Sequence, residues 1–232
     1  MTFPSSLVRG LRVGLVAVSL AAGLAGSLVA SSAGAEEPAA AAAPALDPAV
    51  KAIVDRVEAK YAKVDTIEAK FTQVKKDSFG KVEQTGDVVL KRPNKMRWRF
   101  TSGDEQVFVS DGSTLWIYTK AENQVLRITD TSQANAAANT FLTSLDSLDE
   151  LFDPKIVATE SGHTLDLTPK SSGMYKSIRL SLTDELVLSQ AIFEDQYGNV
   201  TDLSFQGVVL NGNVEDTVFV FQPPDGATVI DN

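Results

Sequence analysis

Short runs in which every second residue is apolar occur along most of the chain. This alternation is typical of a β-strand with one buried and one solvated face. The first run begins at residue 66, where Ile67, Ala69 and Phe71 alternate with polar residues. Further runs cover residues 86–100, 106–110, 114–119, 124–128, 156–159, 164–167, 176–182, 187–194, 200–207 and 217–221. Strands so close in sequence usually pair antiparallel, so we expect a meander of hairpins.

Residues 86–100 predict a hairpin with one apolar side. Its apolar positions, separated by a turn at residues 92–94, are Val88, Leu90, Met96, Trp98 and Phe100. Pro93 disfavours the helical conformation for the residue before it, so Arg92 should project from the end of a strand. A permanent cation would then stand at the rim of an apolar face. Taken by itself, the stretch is more simply explained as a half-buried hairpin with a solvated arginine.

Two segments depart from the alternation and predict helices. Asp47 and Pro48 suit the N-cap and first turn of a helix over residues 48–64. The apolar residues of that helix recur at helical spacing on one face, at Val50, Ile53, Val54, Val57, Tyr61 and Val64. Residues 131–153 suggest short helices, and Ser147 with Glu150 fits a capping box.

The number of predicted strands relative to helices limits the possible architectures. About ten apolar strand faces must be covered, but only one long helix and a few short helices are available. The sheet must therefore curl onto itself or leave a concave apolar interior. One outcome is a pocket, and the other is a barrel or sandwich filled by its own side chains. The periodicity does not separate these two outcomes.

The start of the chain predicts export. Arg9 and Arg12 precede an apolar run over residues 13–30, and Ala33-Gly34-Ala35 supplies small residues at the spacing that a signal peptidase needs. We expect residues 1–35 to be a cleaved signal peptide, with a retained membrane anchor as the alternative. Residues 36–47 form an Ala/Pro-rich leader that we expect to be mobile, and residues 48–232 form a single domain. The chain contains no cysteine, so no disulfide and no thioether-linked lipid can form.

Net charge and side-chain chemistry argue against several classes of function. The net charge is −9, which argues against nucleic acid as a partner. The only histidine, His163, has no thiol or serine motif beside it, so catalysis is not supported. Four acidic residues cluster near residue 150 without the spacing or the glycine of a calcium loop, at Asp146, Asp149, Glu150 and Asp153. We therefore expect no enzyme activity, no metal and no cofactor.

Short pieces spread over residues 48–232 match a known family in order and nearly in spacing. The pieces are Phe71-Thr72-Gln73, Gly86-Asp87, Lys91-Arg92-Pro93-Asn94, Trp98, Val109-Ser110-Asp111-Gly112, Thr114-Leu115-Trp116, Tyr118, and Phe219-Val220-Phe221-Gln222-Pro223-Pro224 with Gly226 and Val229. In these pieces the chain resembles the periplasmic outer-membrane lipoprotein carrier family, LolA. An exported chain without a lipidation cysteine is what that family requires.

The resemblance implies a mainly β fold, namely an incomplete, strongly curved antiparallel β-barrel with a short helical lid over an apolar cavity. It implies a monomeric periplasmic carrier that accepts acylated lipoproteins from an inner-membrane lipoprotein-releasing ABC transporter. The carrier would deliver their acyl chains to an outer-membrane lipoprotein receptor without any cofactor. The alternative is an exported module of the same fold that senses or carries another lipid or glycolipid.

Candidate site residues follow from the apolar strand faces together with the resemblance. The ligand-binding candidates are Phe71, Val88, Leu90, Met96, Trp98, Phe100, Trp116, Phe141, Leu142 and Leu145. Arg92 matches the arginine that, in the family, bonds backbone carbonyls of the lid, so the resemblance implies a latch at this position. No metal ligand is predicted.

Overall fold

The computed structural model describes residues 46–129, 145–157, 159 and 161–232. Its helices are α1 (Pro48–Tyr61) and α2 (Leu148–Leu151), with 3-10 turns at Lys120–Glu122 and Asp216–Phe219. Its strands are β1 (Thr66–Asp77), β2 (Gly80–Lys91), β3 (Lys95–Phe100), β4 (Gln106–Asp111), β5 (Leu115–Thr119), β6 (Gln124–Ile128), β7 (Phe152–Val157), β8 (His163–Pro169), β9 (Tyr175–Leu182), β10 (Leu188–Asp195), β11 (Val200–Leu210) and β12 (Thr228–Asp231). The predicted signal peptide and nearly all of the leader lie outside the described residues.

All twelve strands belong to one sheet, in the order β12-β6-β5-β4-β3-β2-β1-β11-β10-β9-β8-β7. Neighbouring strands are antiparallel except β12, which runs parallel to β6. Within the described residues, β7 and β12 each pair with a single neighbour, so the sheet stays open. The prediction of a mainly β, incompletely closed antiparallel fold is confirmed.

The longest strands, β1 and β2, form the hairpin at the centre of the sheet. They pair from Thr66 opposite Lys91 to Asp77 opposite Gly80, at the hairpin turn. On the other side of β1, Phe71 lies opposite Phe205 of β11. The alternation of apolar residues on these strands places a continuous apolar surface on one face, as the sequence pattern predicts.

Helix α1 covers that apolar surface. Asp47 caps the helix by accepting a hydrogen bond from the Ala49 backbone N–H, at 2.8 Å, and Pro48 occupies the first turn as predicted. Val54, Val57 and Tyr61 are buried against the sheet. The helix is therefore held by its apolar stripe, and a single layer of helix lies on the sheet.

Two local predictions are wrong. Residues 217–221 do not form a strand, because Asp216–Phe219 is a 3-10 turn that buries Phe219, and the last strand is β12. Ser147 does not cap α2 through its side chain, since its hydroxyl donates to Asp146 instead. The Asp149 N–H of α2 donates to Glu58 of α1, at 2.8 Å, so the cap comes from another helix.

Candidate functional site

An apolar pocket lies between α1 and the inner face of the sheet. It is lined by Tyr61 of α1, Ile67 and Ala69 of β1, Val88 and Leu90 of β2, Trp98 of β3, Leu188 of β10, and Phe205 and Val208 of β11. Its volume is about 10 Å³, which admits roughly one water molecule. The pocket is thus almost filled by its own side chains in this conformation.

Strand register brings the lining residues together. Ile67 lies opposite Leu90, and Ala69 lies opposite Val88, which in turn faces Trp98 across the β2–β3 pair. Residues directly opposite each other project on the same face of a sheet. A row of apolar side chains therefore crosses β1, β2 and β3 beneath the helix.

Tyr61 closes the pocket from the helix side. Its side chain is fully buried, and its hydroxyl accepts a hydrogen bond from the Leu188 N–H, at 2.9 Å. Burial raises the pKa of the Tyr61 hydroxyl, an effect that the hydrogen bond from Leu188 only partly opposes. A neutral phenol therefore ties the last turn of α1 to the start of β10.

Arg92 stands at the end of β2, where the pocket, the end of α1 and the segment before α2 meet. Its Nε donates to the Val64 carbonyl at 2.9 Å, and a terminal nitrogen donates to the Tyr61 carbonyl at 3.3 Å. The same nitrogen is 2.8 Å from the Asp146 carboxylate. Both side chains are partly buried, so this ion pair is less screened than a surface pair. Arg92 therefore connects the sheet to both helical segments.

The segment around α2 packs against α1. Leu145 and Leu148 are buried in the common core, and Glu58 of α1 accepts the Asp149 N–H. Burial raises the pKa of the Glu58 carboxyl, against the lowering effect of this backbone hydrogen bond. The two helices and the Arg92–Asp146 pair form one connected cover over the apolar face.

The structure places the ten predicted ligand-binding residues in four different settings. Val88, Leu90 and Trp98 line the pocket. Phe71, Met96, Phe100 and Leu145 belong to the surrounding core, where the ring of Phe71 lies 4.8 Å from that of Trp98. Phe141 and Leu142 lie outside the described residues.

Trp116 differs from expectation. Leu115 and Ile117 of the same strand are buried in the core, whereas the Trp116 ring packs 5.6 Å from Phe221. Arg127 lies over the same ring, at 5.6 Å. Trp116 therefore belongs to the contact between the sheet and the C-terminal segment, on the face opposite the core.

Sequence reasoning missed six lining residues, namely Tyr61, Ile67, Ala69, Leu188, Phe205 and Val208. Each of them except Val208 stands on an apolar face that the periodicity predicted. Val208 follows Gly207, at the end of the predicted run. The pairing of β1 with β11, which are more than a hundred residues apart in the chain, brings Phe205 and Val208 to the pocket. Local periodicity carries no information on that pairing.

Other site classes are absent from the part of the chain that the structure describes. These residues contain no cluster of His, Asp and Glu side chains able to hold a metal ion. No helix among them has the length and apolar character needed to cross a bilayer.

An open antiparallel sheet with an apolar pocket under a helix defines a β protein suited to covering an apolar ligand. Residues 62–222 match the family described as outer membrane lipoprotein carrier protein LolA. The chain belongs to the LolA family, as the sequence motifs indicated.

Relatives agree with this assignment, and a solved structure shares the fold. An outer-membrane lipoprotein carrier protein of Salmonella typhi is 31% identical over 221 residues, covering 92% of this chain and 97% of the relative. The corresponding protein of Pectobacterium atrosepticum is 34% identical over 150 residues, covering 64% and 72%. An uncharacterized conserved protein from Thermus thermophilus shares the fold, with a TM-score of 0.51 and 18% identity over 79% of this chain and 99% of that chain.

Proposed function

We propose that this protein is a periplasmic carrier that shields the acyl chains of lipoproteins on their way to the outer membrane. The observation that carries the proposal is the apolar pocket between α1 and the sheet. Membership of the LolA family and the names of the relatives support it. An acylated protein cannot cross an aqueous compartment unshielded, since each exposed methylene costs roughly 0.8 kcal/mol.

The closed pocket implies that cargo enters by displacing the cover. A volume of about 10 Å³ holds no acyl chain, so α1 or the segment around α2 must move away from the sheet. Movement would expose the apolar side chains that now surround the pocket, including Phe71 and Phe100. Val88, Leu90 and Trp98 would contact cargo first, and these core residues would extend the binding surface.

Arg92 would set the free energy of opening. Its hydrogen bonds to the Tyr61 carbonyl and the Asp146 carboxylate would break when the cover moves away, whereas its bond to Val64 stays outside the cover. Charge-assisted hydrogen bonds contribute roughly 1.5–3 kcal/mol each, so they oppose cargo entry and favour release. The residue therefore acts as a latch that tunes both loading and hand-off.

One partner in each membrane would complete the transport cycle of the carrier. An inner-membrane lipoprotein-releasing ABC transporter would load the carrier, and an outer-membrane lipoprotein receptor would take its cargo by binding the acyl chains more tightly. Such a carrier acts as a monomer and needs neither a cofactor nor catalysis, because binding and release are its whole cycle.

Mass spectrometry of native protein purified from the periplasm tests the proposal. We expect a copurified triacylated peptide or lipoprotein. A bound free lipid or glycolipid would instead identify a lipid sensor or carrier of the same fold. Protein that stays empty even when incubated with the released lipoprotein fraction would contradict a carrier role.

Depletion of the protein should leave lipoproteins in the inner-membrane fraction, which membrane fractionation measures.

A further inference from the structure

Two hairpins end in turns of the same design. The β1–β2 turn reads Asp77-Ser78-Phe79-Gly80, and the β10–β11 turn reads Asp195-Gln196-Tyr197-Gly198. In each turn the aspartate begins the turn, an aromatic residue stands two positions later, and a glycine with positive φ follows it. The pattern Asp-x-aromatic-Gly therefore occurs twice, at two hairpin ends.

Hydrogen bonds hold both aromatic residues in place. One carboxylate oxygen of Asp77 accepts from the Phe79 N–H, at 2.7 Å, and the Gly80 N–H, at 3.1 Å. The Asp195 carboxylate accepts from the Tyr197 N–H at 2.8 Å and the Asn199 N–H at 2.9 Å. These hydrogen bonds already order both turns. Little conformational entropy is therefore lost when the aromatic side chain binds a partner.

Sheet order puts the two turns side by side. Lys76, the residue before the first turn, lies opposite Val200, the residue after the second. A third turn, between β8 and β9, contacts the second one, because the Gln196 side chain donates to the carbonyls of Gly173 and Tyr175. We call these three turns, residues 77–82, 195–199 and 170–174, the tip surface.

The tip surface exposes apolar side chains that nothing in the fold requires to be exposed. Phe79 is 90% exposed and Tyr197 is 91% exposed, more than any other large apolar side chain that the structure describes. Val82 and Met174 are also exposed on the same turns. A row of unpartnered apolar side chains at one end of a sheet indicates an interaction surface.

Charge distinguishes this end from the remainder of the chain. Residues 75–83, 170–176 and 194–199, which comprise the tip surface and the strand residues beside it, contain five lysines and four acidic residues and so carry a net charge of +1, whereas the whole chain has a net charge of −9. An anionic surface would therefore repel most of the molecule and admit this end. Lys76 and Lys81 flank the Phe79 turn and are exposed.

We propose that the tip surface docks onto a phospholipid bilayer, with the rings of Phe79 and Tyr197 inserted among the headgroups and the neighbouring lysines at the phosphates. Aromatic residues favour this layer because one part of it is apolar and another is wet. Both rings are exposed on hairpin turns, and a deformable bilayer accepts projecting side chains without a matching cavity. Both the shape and the charge thus favour a membrane over a protein partner.

The tip surface and the pocket lie at different ends of the central hairpin. Ala69, the lining residue of β1 nearest the tip surface, precedes Asp77, the last residue of β1, by eight residues, which corresponds to roughly 26 Å of extended strand. Docking by the tips would hold the protein at a bilayer and leave the Arg92 end free. Bilayer docking requires no acyl cargo, so it is separate from the carrier role.

Vesicle flotation tests the proposal with protein purified from the periplasm, after mass spectrometry has verified that residues 1–35 have been removed. The wild type should float with vesicles of phosphatidylethanolamine and phosphatidylglycerol. The double variant Phe79→Ser/Tyr197→Ser should bind them at least roughly tenfold more weakly. The matched control is Val220→Ser, an exposed apolar side chain away from the tips, which should bind like the wild type. A wild type that does not float, or a double variant that floats equally well, would overturn the proposal.

Fluorescence measured at single labelled positions distinguishes loss of membrane binding from misfolding of a variant. Because the chain has no cysteine, Phe79→Cys, Tyr197→Cys and Val220→Cys can each carry one polarity-sensitive fluorophore. Vesicles should shift the emission of the two tip labels to shorter wavelength and leave the label at position 220 unchanged. Equal shifts at all three positions, or none, would show that the tips do not insert.

Discussion

At the scale of single residues, Gly86 shows how closely the apolar face is packed. It lies between Phe71 of β1 and Phe100 of β3 in the sheet register. A Cβ atom at this position would stand 2.0 Å from the Arg99 carbonyl oxygen and 2.6 Å from the Phe71 ring. The aromatic ring therefore occupies the space that any side chain at position 86 would need.

We predict that Gly86→Ala destabilises the fold by about 1–3 kcal/mol, because backbone or ring must shift to admit the methyl group. Urea unfolding followed by circular dichroism measures the change. Gly173→Ala is the matched control, since open space surrounds a Cβ there and φ is not positive, and its effect should stay within about 0.5 kcal/mol. Equal stability of the two variants would show that the packing at Gly86 is adaptable.

Trp98 and Arg99 are neighbours in β3 that face opposite sides of the sheet. Trp98 lines the pocket, and Arg99 is exposed and pairs with Asp87 at 2.7 Å. Trp98→Glu should weaken the binding of a fluorescent acyl probe at least roughly tenfold, because an unpaired carboxylate in an apolar site costs more than the roughly 1–3 kcal/mol of an uncharged polar group. Arg99→Glu should leave that affinity nearly unchanged.

The choice of variants matters for this test. Met96 is buried in the core and does not line the pocket, so Met96→Glu is expected to unfold the protein rather than report on binding. Arg97 donates to the Val218 carbonyl at 3.2 Å, so its replacement would also disturb the C-terminal segment. If Arg99→Glu abolished probe binding while Trp98→Glu did not, the cargo site would lie on the charged face.

At the scale of elements, residues 215–232 form a C-terminal strap across the face of the sheet opposite the core. Asp216 is 2.7 Å from the Lys91 ammonium and 2.9 Å from that of Lys95. Hydrogen bonds from Lys91 and then Lys95 lower the pKa of the Asp216 carboxyl to about 2. The strap then contacts Trp116 through Phe221 and ends as β12 beside β6.

The strap should loosen in acid. The pKa of Asp216 is lower in the folded protein than in the unfolded chain, so its stabilising effect is complete above the ordinary value of 3.8 and is lost as the pH falls through about 2. At neutral pH, Asp216→Asn should speed hydrogen exchange of the Val218 and Val220 amides, which bond within this turn. NMR-detected exchange measures the difference from the wild type, and this difference should vanish below pH 2.

Asp225→Asn is the control for the strap, because it removes a carboxylate from the same segment but outside the 3-10 turn. Exchange of the two amides in that variant should match the wild type. Faster exchange in both variants would attribute the effect to overall charge, and the lysine contacts of Asp216 would then be irrelevant.

At the scale of the whole molecule, the proposed carrier mechanism depends on how the cover separates from the sheet. The cover consists of α1 and the segment around α2, and Arg92 contacts both. Apparent affinity for cargo scales with the population of open molecules. A bond that exists only in the closed state therefore weakens cargo binding.

We predict that Arg92→Leu binds an acylated probe roughly tenfold to a hundredfold more tightly than the wild type, up to the limit where the cover is already open. Release to an acceptor membrane should slow correspondingly. Stopped-flow uptake and release of a labelled lipoprotein measure both steps. Arg179→Leu, which removes an exposed arginine of β9 that pairs with Asp166 of β8, should behave like the wild type. If Arg92→Leu takes up and releases cargo at wild-type rates, the latch does not exist.

The sequence by itself determined the class of the fold, the start of α1 and nearly all of the strands. These features depend on local causes, namely Asp47 and Pro48 at the helix start and the period-two alternation along the strands. The family could also be identified from the sequence, because its short motifs occur in the order that the family shows. No tertiary information was needed for either.

Only the tertiary structure decided which apolar side chains meet. In β5, Trp116 and Tyr118 alternate with Leu115 and Ile117, so both faces are apolar and the pattern cannot say which face turns inward. The run at residues 217–221 is nearly continuous in apolar residues and is equally compatible with a strand or with a buried turn. The pocket requires the pairing of β1 with β11, and the proposed latch joins Arg92 to Asp146, fifty-four residues further along the chain. Such contacts depend on register and packing between distant segments, and local periodicity leaves both of these undetermined.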